Sequence, residues 1–383
     1  MDNESMYAEL LELITTDSAS GKESAIARLL IGKLEALGFA VTMDNAGETF
    51  GGECGNVLGV REGELDGALL LCSHMDRVPE GLGIHPVGQD GVLYSDGSTI
   101  LAADDISGVC AILDGLRRVL AAKVPLPRLE VLFTVGEETG LYGAKAMDLS
   151  KLHAKMGYFF DSPGSVGRFV HGAPGLYQLN AEITGRSAHA GNEPEKGVDA
   201  ARTMCLMLST LRQGRLDPIS TANFPILRTG STARNVVCDF ASFQGEARSR
   251  DVKRLEDYVA YFETHCQKVA AANGAGLKLS KVGNFRPFLV PLDDPILAIA
   301  ETACRSLNIK FRAEIGGGGM DANIFSAQGI TCVGVATGYT KNHTHSEQLV
   351  LEDFSSPDAW RPPSSRLTHR AASLNKPIFV LCN

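Results

Sequence analysis

The first clear periodicity in the chain is helical. After Ser20-Gly21-Lys22-Glu23, which has the form of a capping box, apolar residues recur at helical spacing as far as Leu37, and Gly38 then offers a left-handed stop. This predicts a helix over 22–37. Three short runs of strand-forming residues follow at 40–43, 56–61 and 68–73. The last is apolar throughout, as a strand buried on both faces is. Val92-Leu93-Tyr94, set between Asp90-Gly91 and Asp96-Gly97, predicts a hairpin. A helix over 106–121, a strand over 129–135, a short helix over 143–149 and a strand over 157–160 complete this stretch. Alternating strands and helices imply an α/β domain with a mainly parallel sheet.

Beyond about Ala173 the order changes to a strand over 176–184, a helix over 197–212, strands near 224–229 and 235–247, and a long helix over 252–272. That is the pattern of a smaller α+β domain. From about Pro291 a helix, a glycine-rich turn at Gly316–Gly319 and the apolar run Thr331–Ala336 return to the first style. The expected architecture is therefore α/β: a catalytic domain with a mainly parallel or mixed sheet, built from 1–172 and 290–383, with a smaller α+β domain of residues 173–289 inserted into it. The tail 355–383 contains Pro357, Pro362, Pro363 and the sole tryptophan, Trp360, with little periodicity. No element is assigned there.

At 383 residues and 44% apolar content the chain can bury two cores. It carries 45 acidic against 36 basic residues and no long Lys/Arg run, which argues against nucleic acid as a partner. No apolar stretch approaches the ~20 residues of a membrane helix. The polar start Met1-Asp2-Asn3-Glu4-Ser5 lacks the features of a secretion signal, so a cytoplasmic location and no membrane partner are expected. Nine scattered cysteines without a C-x-x-C pair are read as reduced thiols.

Five acidic or imidazole clusters stand at or just beyond predicted strand ends, where ligands gather in an open α/β sheet. They are His74-Met75-Asp76, Asp104-Asp105, Glu137-Glu138, Asp161 and His343-Thr344-His345-Ser346-Glu347. Taken singly, each is a common surface or core feature. Together, several of them within apolar runs such as Leu101-Ala102-Ala103-Asp104 and Phe159-Phe160-Asp161, they would be costly to bury unless a metal neutralised them. Zinc takes imidazole nitrogen and carboxylate oxygen, and two ions ~3.5–4 Å apart need a shared carboxylate and about two further protein ligands each. In His-x-Asp on a strand both side chains share a face, so Asp76 can accept the second ring N–H of His74. Adjacent Glu137 and Glu138 cannot both address one ion from a regular strand, which divides ligand from general base.

The segments LLLCSHMDRVPEG, LAADDISGVCAIL, FTVGEETGLYGA, GRSAHAGNEPEKGVDA, ARNVVCDFASFQGEARS, GGGGMDAN and HTHSE resemble the M20 metallopeptidases, and most closely peptidase T-like tripeptidases, in order from about residue 5 to 354. The resemblance implies that His74 and Asp161 hold one zinc, Glu138 and His343 the other, and that Asp104 bridges. It makes Glu137 the general base and Asp76 the residue orienting His74, leaving His345 and Asp105 without a chemical role. In the inserted domain it assigns His189 to polarising the scissile carbonyl, commonly across a dimer interface. Asn235, Arg248, Gly318 and Gly319 would then contact the substrate, the guanidinium fork suiting a carboxylate. The implied activity is release of the N-terminal residue of a short peptide, with two Zn²⁺ (Co²⁺ or Mn²⁺ being possible alternatives) and a homodimer formed through the inserted domain. The alternatives are an M20-type deacylase or carboxypeptidase acting on N-acyl amino acids, and a non-catalytic scaffold that has kept the fold. A scaffold would be expected to have lost a ligand or Glu137, and all are present.

Overall fold

The computed structural model describes residues 3–351; the tail 355–383 lies outside them. In chain order the elements are α1 (Asn3–Thr15), α2 (Ser24–Ala36), β1 (Ala40–Met43), β2 (Val57–Arg61), β3 (Ala68–His74), β4 (Pro86–Gln89), β5 (Val92–Ser95), α3 (Ala103–Ala122), β6 (Arg128–Thr134), α4 (Tyr142–Ala146), β7 (Met156–Ser162) and β8 (Arg168–Ala173). There follow β9 (Gly175–Thr184), α5 (Ala200–Thr210), β10 (Gly214–Asp217), β11 (Ser220–Thr229), β12 (Phe240–Ser249), α6 (Val252–Ala272), β13 (Gly276–Phe285) and β14 (Phe288–Leu289). The chain continues with α7 (Pro295–Ser306), β15 (Arg312–Ile315), α8 (Asp321–Ala327), β16 (Thr331–Ala336), β17 (Tyr339–Thr340) and β18 (Gln348–Val350). Two compact units emerge. One comprises the described residues up to Gly172, then Val290–Gly316 and the described residues from Met320; the other is Ala173–Leu289 together with Gly317–Gly319.

The first unit is built on a mixed sheet with the order β1-β2-β6-β3-β7-β16-β8, β15 lying beside β8. Its centre, β6-β3-β7-β16, is parallel and its flanks β1, β2 and β8 are antiparallel to their neighbours. The parallel strands are runs such as Leu69-Leu70-Leu71-Cys72 and Val131-Leu132-Phe133, buried nearly throughout, as strands covered on both faces must be. The helix α3 covers β3 and β7. A smaller antiparallel sheet, β17-β18-β5-β4, carries the expected hairpin, with Asp90 and Gly91 both at positive φ in its turn.

In the second unit the antiparallel sheet β10-β11-β12-β9-β13 packs α5 and α6 on one face. Leu179, Ile183, Phe224, Phe243 and Phe262 form its core. The rings of Phe224 and Phe262 stack at 5.6 Å, with Phe243 edge-on to Phe224.

Several local expectations need correction. The capping box does not form: α2 begins at Ser24, Ser20 donates its hydroxyl to Asp76, and the Glu23 carboxylate takes the N–H groups of Gly21 and Gly136. Tertiary partners have claimed both side chains. Gly38 is the left-handed stop, at φ 81°. The helix expected over 197–212 is shorter because Asp199 caps it at the Arg202 N–H. The strand expected from 235 begins at Phe240, since the preceding residues pair irregularly with 186–190 (His189 opposite Val236). The elements α1, β8 and β13 have no counterpart among the expectations. Among the described residues no helix is long and apolar enough to cross a membrane, and the described cysteines are free thiols, all buried except Cys205.

Arg77 ties α1 to the end of β3. Fully buried, it donates to the carbonyls of Ile14 (2.7 Å), Thr16 (2.9 Å), Leu13 (3.2 Å) and Gly81 (3.3 Å), and to the Ser18 hydroxyl (3.0 Å). A cation at the last carbonyls of a helix satisfies acceptors that have no intrahelical partner. Arg77→Ala leaves those carbonyls and a cavity behind, and is expected to cost about 3–5 kcal/mol. A urea midpoint equal to that of the parent would refute this.

Candidate metal centre

The four parallel strands end together. β3 pairs with β6 up to His74 opposite Thr134, and with β7 at Cys72 opposite Phe159. Two residues beyond that second pair stand His74 and Asp161, and just past Thr134 comes the turn Gly136-Glu137-Glu138. Asp104 and Asp105 precede the regular part of α3, with non-helical backbone angles and a cis peptide between them. His343 sits at φ 60° in the loop between β17 and β18.

These residues converge. Single donor atoms of His74, Asp104 and Asp161 lie within 4.8 Å of one another, as do those of Asp104, Glu138 and His343, and those of His74, Glu137 and Glu138. The first two sets share Asp104, whose Oδ1 lies 3.3 Å from His74 Nε2 and whose Oδ2 lies 3.4 Å from His343 Nε2. His343 Nε2 is also 2.9 Å from Glu138 Oε1. Both glutamates reach the centre because they sit in a turn beyond β6, so the strand-based division between them does not hold. Their roles must differ by chemistry.

Supporting contacts fix the geometry. His74 Nδ1 is 3.0 Å from the Asp76 carbonyl and 3.4 Å from its carboxylate, so Nδ1 carries a hydrogen and Nε2 is the ring nitrogen that faces the centre. The closer acceptor is thus the main chain of Asp76. Its carboxylate has a further task, accepting the N–H of Glu137 (3.0 Å) and of Glu138 (3.2 Å) and the Ser20 hydroxyl (2.5 Å). Asp76 thereby pins the turn that carries both glutamates.

The donor set fits divalent cations. Burial, then the nearby carboxylates, pushes Glu137 well above its usual range and Asp161 up to about 7. Burial also raises Glu138. Asp104 is held below the usual range despite burial, by hydrogen bonds from His343 and His74, while those to Asp104 and Glu138 push His343 up to about 10. So many carboxylates in one desolvated place require a compensating positive charge. Imidazole and carboxylate donors with a shared aspartate suit zinc or a similar ion.

Residues to which sequence reasoning gave no role act behind this layer. The Glu347 carboxylate accepts the N–H groups of Leu101, Ala102 and Asp104, holding the loop that presents Asp104. Asn342 donates to Asp104 and Tyr339 to Asp161. Asp321, at the start of α8, accepts from Thr134 at the end of β6. The only sequence signal was their closeness to His343 or to the glycine turn. Asp105 accepts the Ser73 hydroxyl and the His74 N–H, a structural role, and His345 turns away to the Gly97 carbonyl.

Glu23 supplies a pH test. Burial pushes its carboxyl from 4.5 to about 7. Between those values the native state keeps a proton that the unfolded chain releases, so this group's contribution to stability falls as pH rises through the window. Glu23→Gln is expected to gain more over the parent at pH 8 than at pH 5 in urea midpoint. An equal gain at both would remove Glu23 from the account.

The remaining candidates lie in the second unit. His189 is exposed, and its Nδ1 accepts the N–H groups of Gly191 (3.2 Å) and Asn192 (3.1 Å), so Nε2 carries the hydrogen and faces outward as a donor. Asn235 is beside it, its carbonyl accepting the Ala190 N–H. Arg248 is already engaged: Nε and Nη2 donate to the Glu246 carboxylate at 2.7 and 3.3 Å, and Nη1 meets the Gly317 carbonyl at 3.4 Å. That brings Arg248 to the glycine turn. At Gly319 a Cβ would lie 2.1 Å from the Phe285 ring, which accounts for glycine there, whereas Gly318 has open space around it.

Residues 70–356 match the peptidase family M20/M25/M40. Over 350 residues the chain is 34% identical to the uncharacterized protein YqjE of Bacillus subtilis, spanning 91% of this chain and 94% of that one. Among solved structures it resembles aminopeptidase PepT from Bacillus cereus, with a TM-score of 0.86 and 34% identity over 92% of this chain and 95% of the other. It also resembles a tripeptidase from Staphylococcus aureus, with a TM-score of 0.89 and 32% identity over the same shares of 92% and 95%.

Proposed function

Since the chain belongs to peptidase family M20/M25/M40, we propose that it is a di-zinc aminopeptidase releasing the N-terminal residue of short peptides, tripeptides foremost. The observation that carries this reading is the pair of ligand sets sharing Asp104, with the Glu137 carboxylate beside them. Likeness to an aminopeptidase and a tripeptidase over nine-tenths of the chain favours this substrate class. His74 and Asp161 would hold one ion, Glu138 and His343 the other, with Asp104 between.

When bound, the ions supply Lewis acidity and a water of lowered pKa. Glu137 takes the proton of the attacking water and returns it to the leaving amine, a task suited to a carboxyl whose pKa burial has raised. Asp76 keeps Glu137 and Glu138 in place through their N–H groups. His189, with Nε2–H as its free donor, polarises the scissile carbonyl without itself changing charge. Arg248, held at the glycine turn, and the N–H groups of Gly318 and Gly319 receive the peptide's carboxylate, with Asn235 beside His189 as a further contact. To bind, that carboxylate must share Arg248 with Glu246. We assign the working form as a homodimer through the inserted unit.

Metal-loaded protein is to be incubated with a free tripeptide and, separately, with its N-acetylated form, products being followed by mass spectrometry. Release of the first residue from the free peptide alone is expected. Cleavage of only the acetylated form would replace this reading with an M20-type deacylase or carboxypeptidase. No turnover of either with metal bound would point to a scaffold.

A further inference from the structure

The two oxygens of Asp104 divide between the two ligand sets. Oδ1 faces His74, whose set is completed by Asp161, and Oδ2 faces His343, whose set is completed by Glu138. A group that touches Oδ2 alone therefore bears most directly on the second position, and a group that touches Asp161 bears on the first. Each position has one such partner. Asn342 Nδ2 donates to Asp104 Oδ2 at 2.7 Å, and Tyr339 Oη donates to Asp161 Oδ1 at 3.2 Å.

We propose that Tyr339 and Asn342 are positioning residues, Tyr339 holding Asp161 of the first position and Asn342 holding the shared Asp104 by the oxygen that faces the second, so that the single segment 339–347 weights the two affinities differently. The inference rests on the metallopeptidase reading above. A carboxylate oxygen has two lone pairs, so it can keep such a hydrogen bond while the other lone pair addresses an ion. The segment is a rigid support for this. Tyr339 is buried and paired with Leu349 of β18, and Glu347 holds the backbone of Asp104 itself. Both donors thus act on carboxylates whose main chain is already fixed, and what they add is orientation of the donor oxygen.

The two positions also differ in access. His343 is 49% exposed and His74 2%. The His343 side is therefore the more open of the two, and an ion there depends more on the orientation Asn342 provides.

The test uses the full chain stripped of metal by a chelator, then titrated with Zn²⁺ against a competing chromophoric chelator. Co²⁺ absorption serves as an independent report of ligand geometry. The parent is expected to take up two equivalents with two affinities. Asn342→Ala is expected to weaken one of them by about 10–100-fold and the other, through the shared Asp104, by clearly less, whereas Tyr339→Phe is expected to weaken chiefly that other one by a similar factor. Each should perturb a different part of the Co²⁺ spectrum. Unchanged affinities in both variants, or the same position weakened most by both, would overturn the proposal. A parent that binds no metal would instead sink the metallopeptidase reading on which it rests. Thermal unfolding of the metal-free variants controls for folding. Should Tyr339→Phe unfold, Asn342→Ala on its partly exposed loop still decides, because equal loss at both positions contradicts a role centred on Oδ2.

Discussion

Glu137→Gln is expected to lower kcat for tripeptide hydrolysis by about 10²–10⁴-fold, while two metal equivalents stay bound and the fold is unchanged. The substitution keeps shape and volume and removes only the ability to carry a proton. Glu137 belongs to neither of the two sets that share Asp104, yet its carboxylate lies within 4.8 Å of donor atoms of His74 and Glu138. Its backbone N–H is fixed by Asp76, so the variant keeps its place in the turn. KM should change little, because the lost function operates in the transition state and not in ground-state binding. Retention of more than a tenth of the parent kcat would move the general base elsewhere. Loss of metal together with activity would mean that Glu137 is a ligand.

Asp104→Asn is expected to be as damaging for a different reason. Asp104 is common to both ligand sets, and it gives one oxygen to the His74 side and one to the His343 side. An amide supplies one neutral oxygen and, on the other side, an N–H group that repels a cation. One of the two positions therefore loses its shared ligand and the other keeps a weaker one. Metal content measured after dialysis should fall from two equivalents to one or fewer. Lewis-acid assistance is worth several kcal/mol, so a loss of about 10³-fold or more in kcat/KM is expected. Two tightly held ions in this variant would show that the sets do not share Asp104 in the way their geometry suggests. Comparing the two variants is informative: Glu137→Gln should lose turnover without losing metal, and Asp104→Asn both together.

Much of this centre was legible before folding was considered. The apolar runs ending in His74 and Asp161 and the run preceding Glu137 mark strands buried on both faces, and a polar group at the end of such a strand has few places to point except the sheet's carboxyl edge. That logic, with the resemblance carried by the motifs around these residues, brought together His74, Asp104, Glu137, Glu138, Asp161 and His343. The reading failed where a side chain had two possible partners. Ser20 and Glu23 have the form of a helix cap, yet one bonds Asp76 and the other the Gly136 N–H. Both bonds join residues far apart in the chain, which no local pattern encodes. The strand rule for adjacent glutamates failed likewise, because the strand stops at Thr134 and the turn that follows answers to Asp76.

By itself, then, the sequence determined the elements whose periodicity is strong, the insertion of an α+β segment into an α/β chain, and the residue types gathered at strand ends. These follow from burial and backbone geometry, which act over a few residues and leave a repeating trace. Only the tertiary structure decided which oxygen of Asp104 faces which histidine, that Asp76 serves the Glu137–Glu138 turn as well as His74, that Arg248 already lies against Glu246, and that Tyr339, Asn342 and Glu347 stand behind the ligands. Hydrogen bonds and charge pairs of this kind act over a few ångströms in space between residues up to 248 positions apart in the chain, and a side chain's partner is fixed only when the packed strands bring it within reach.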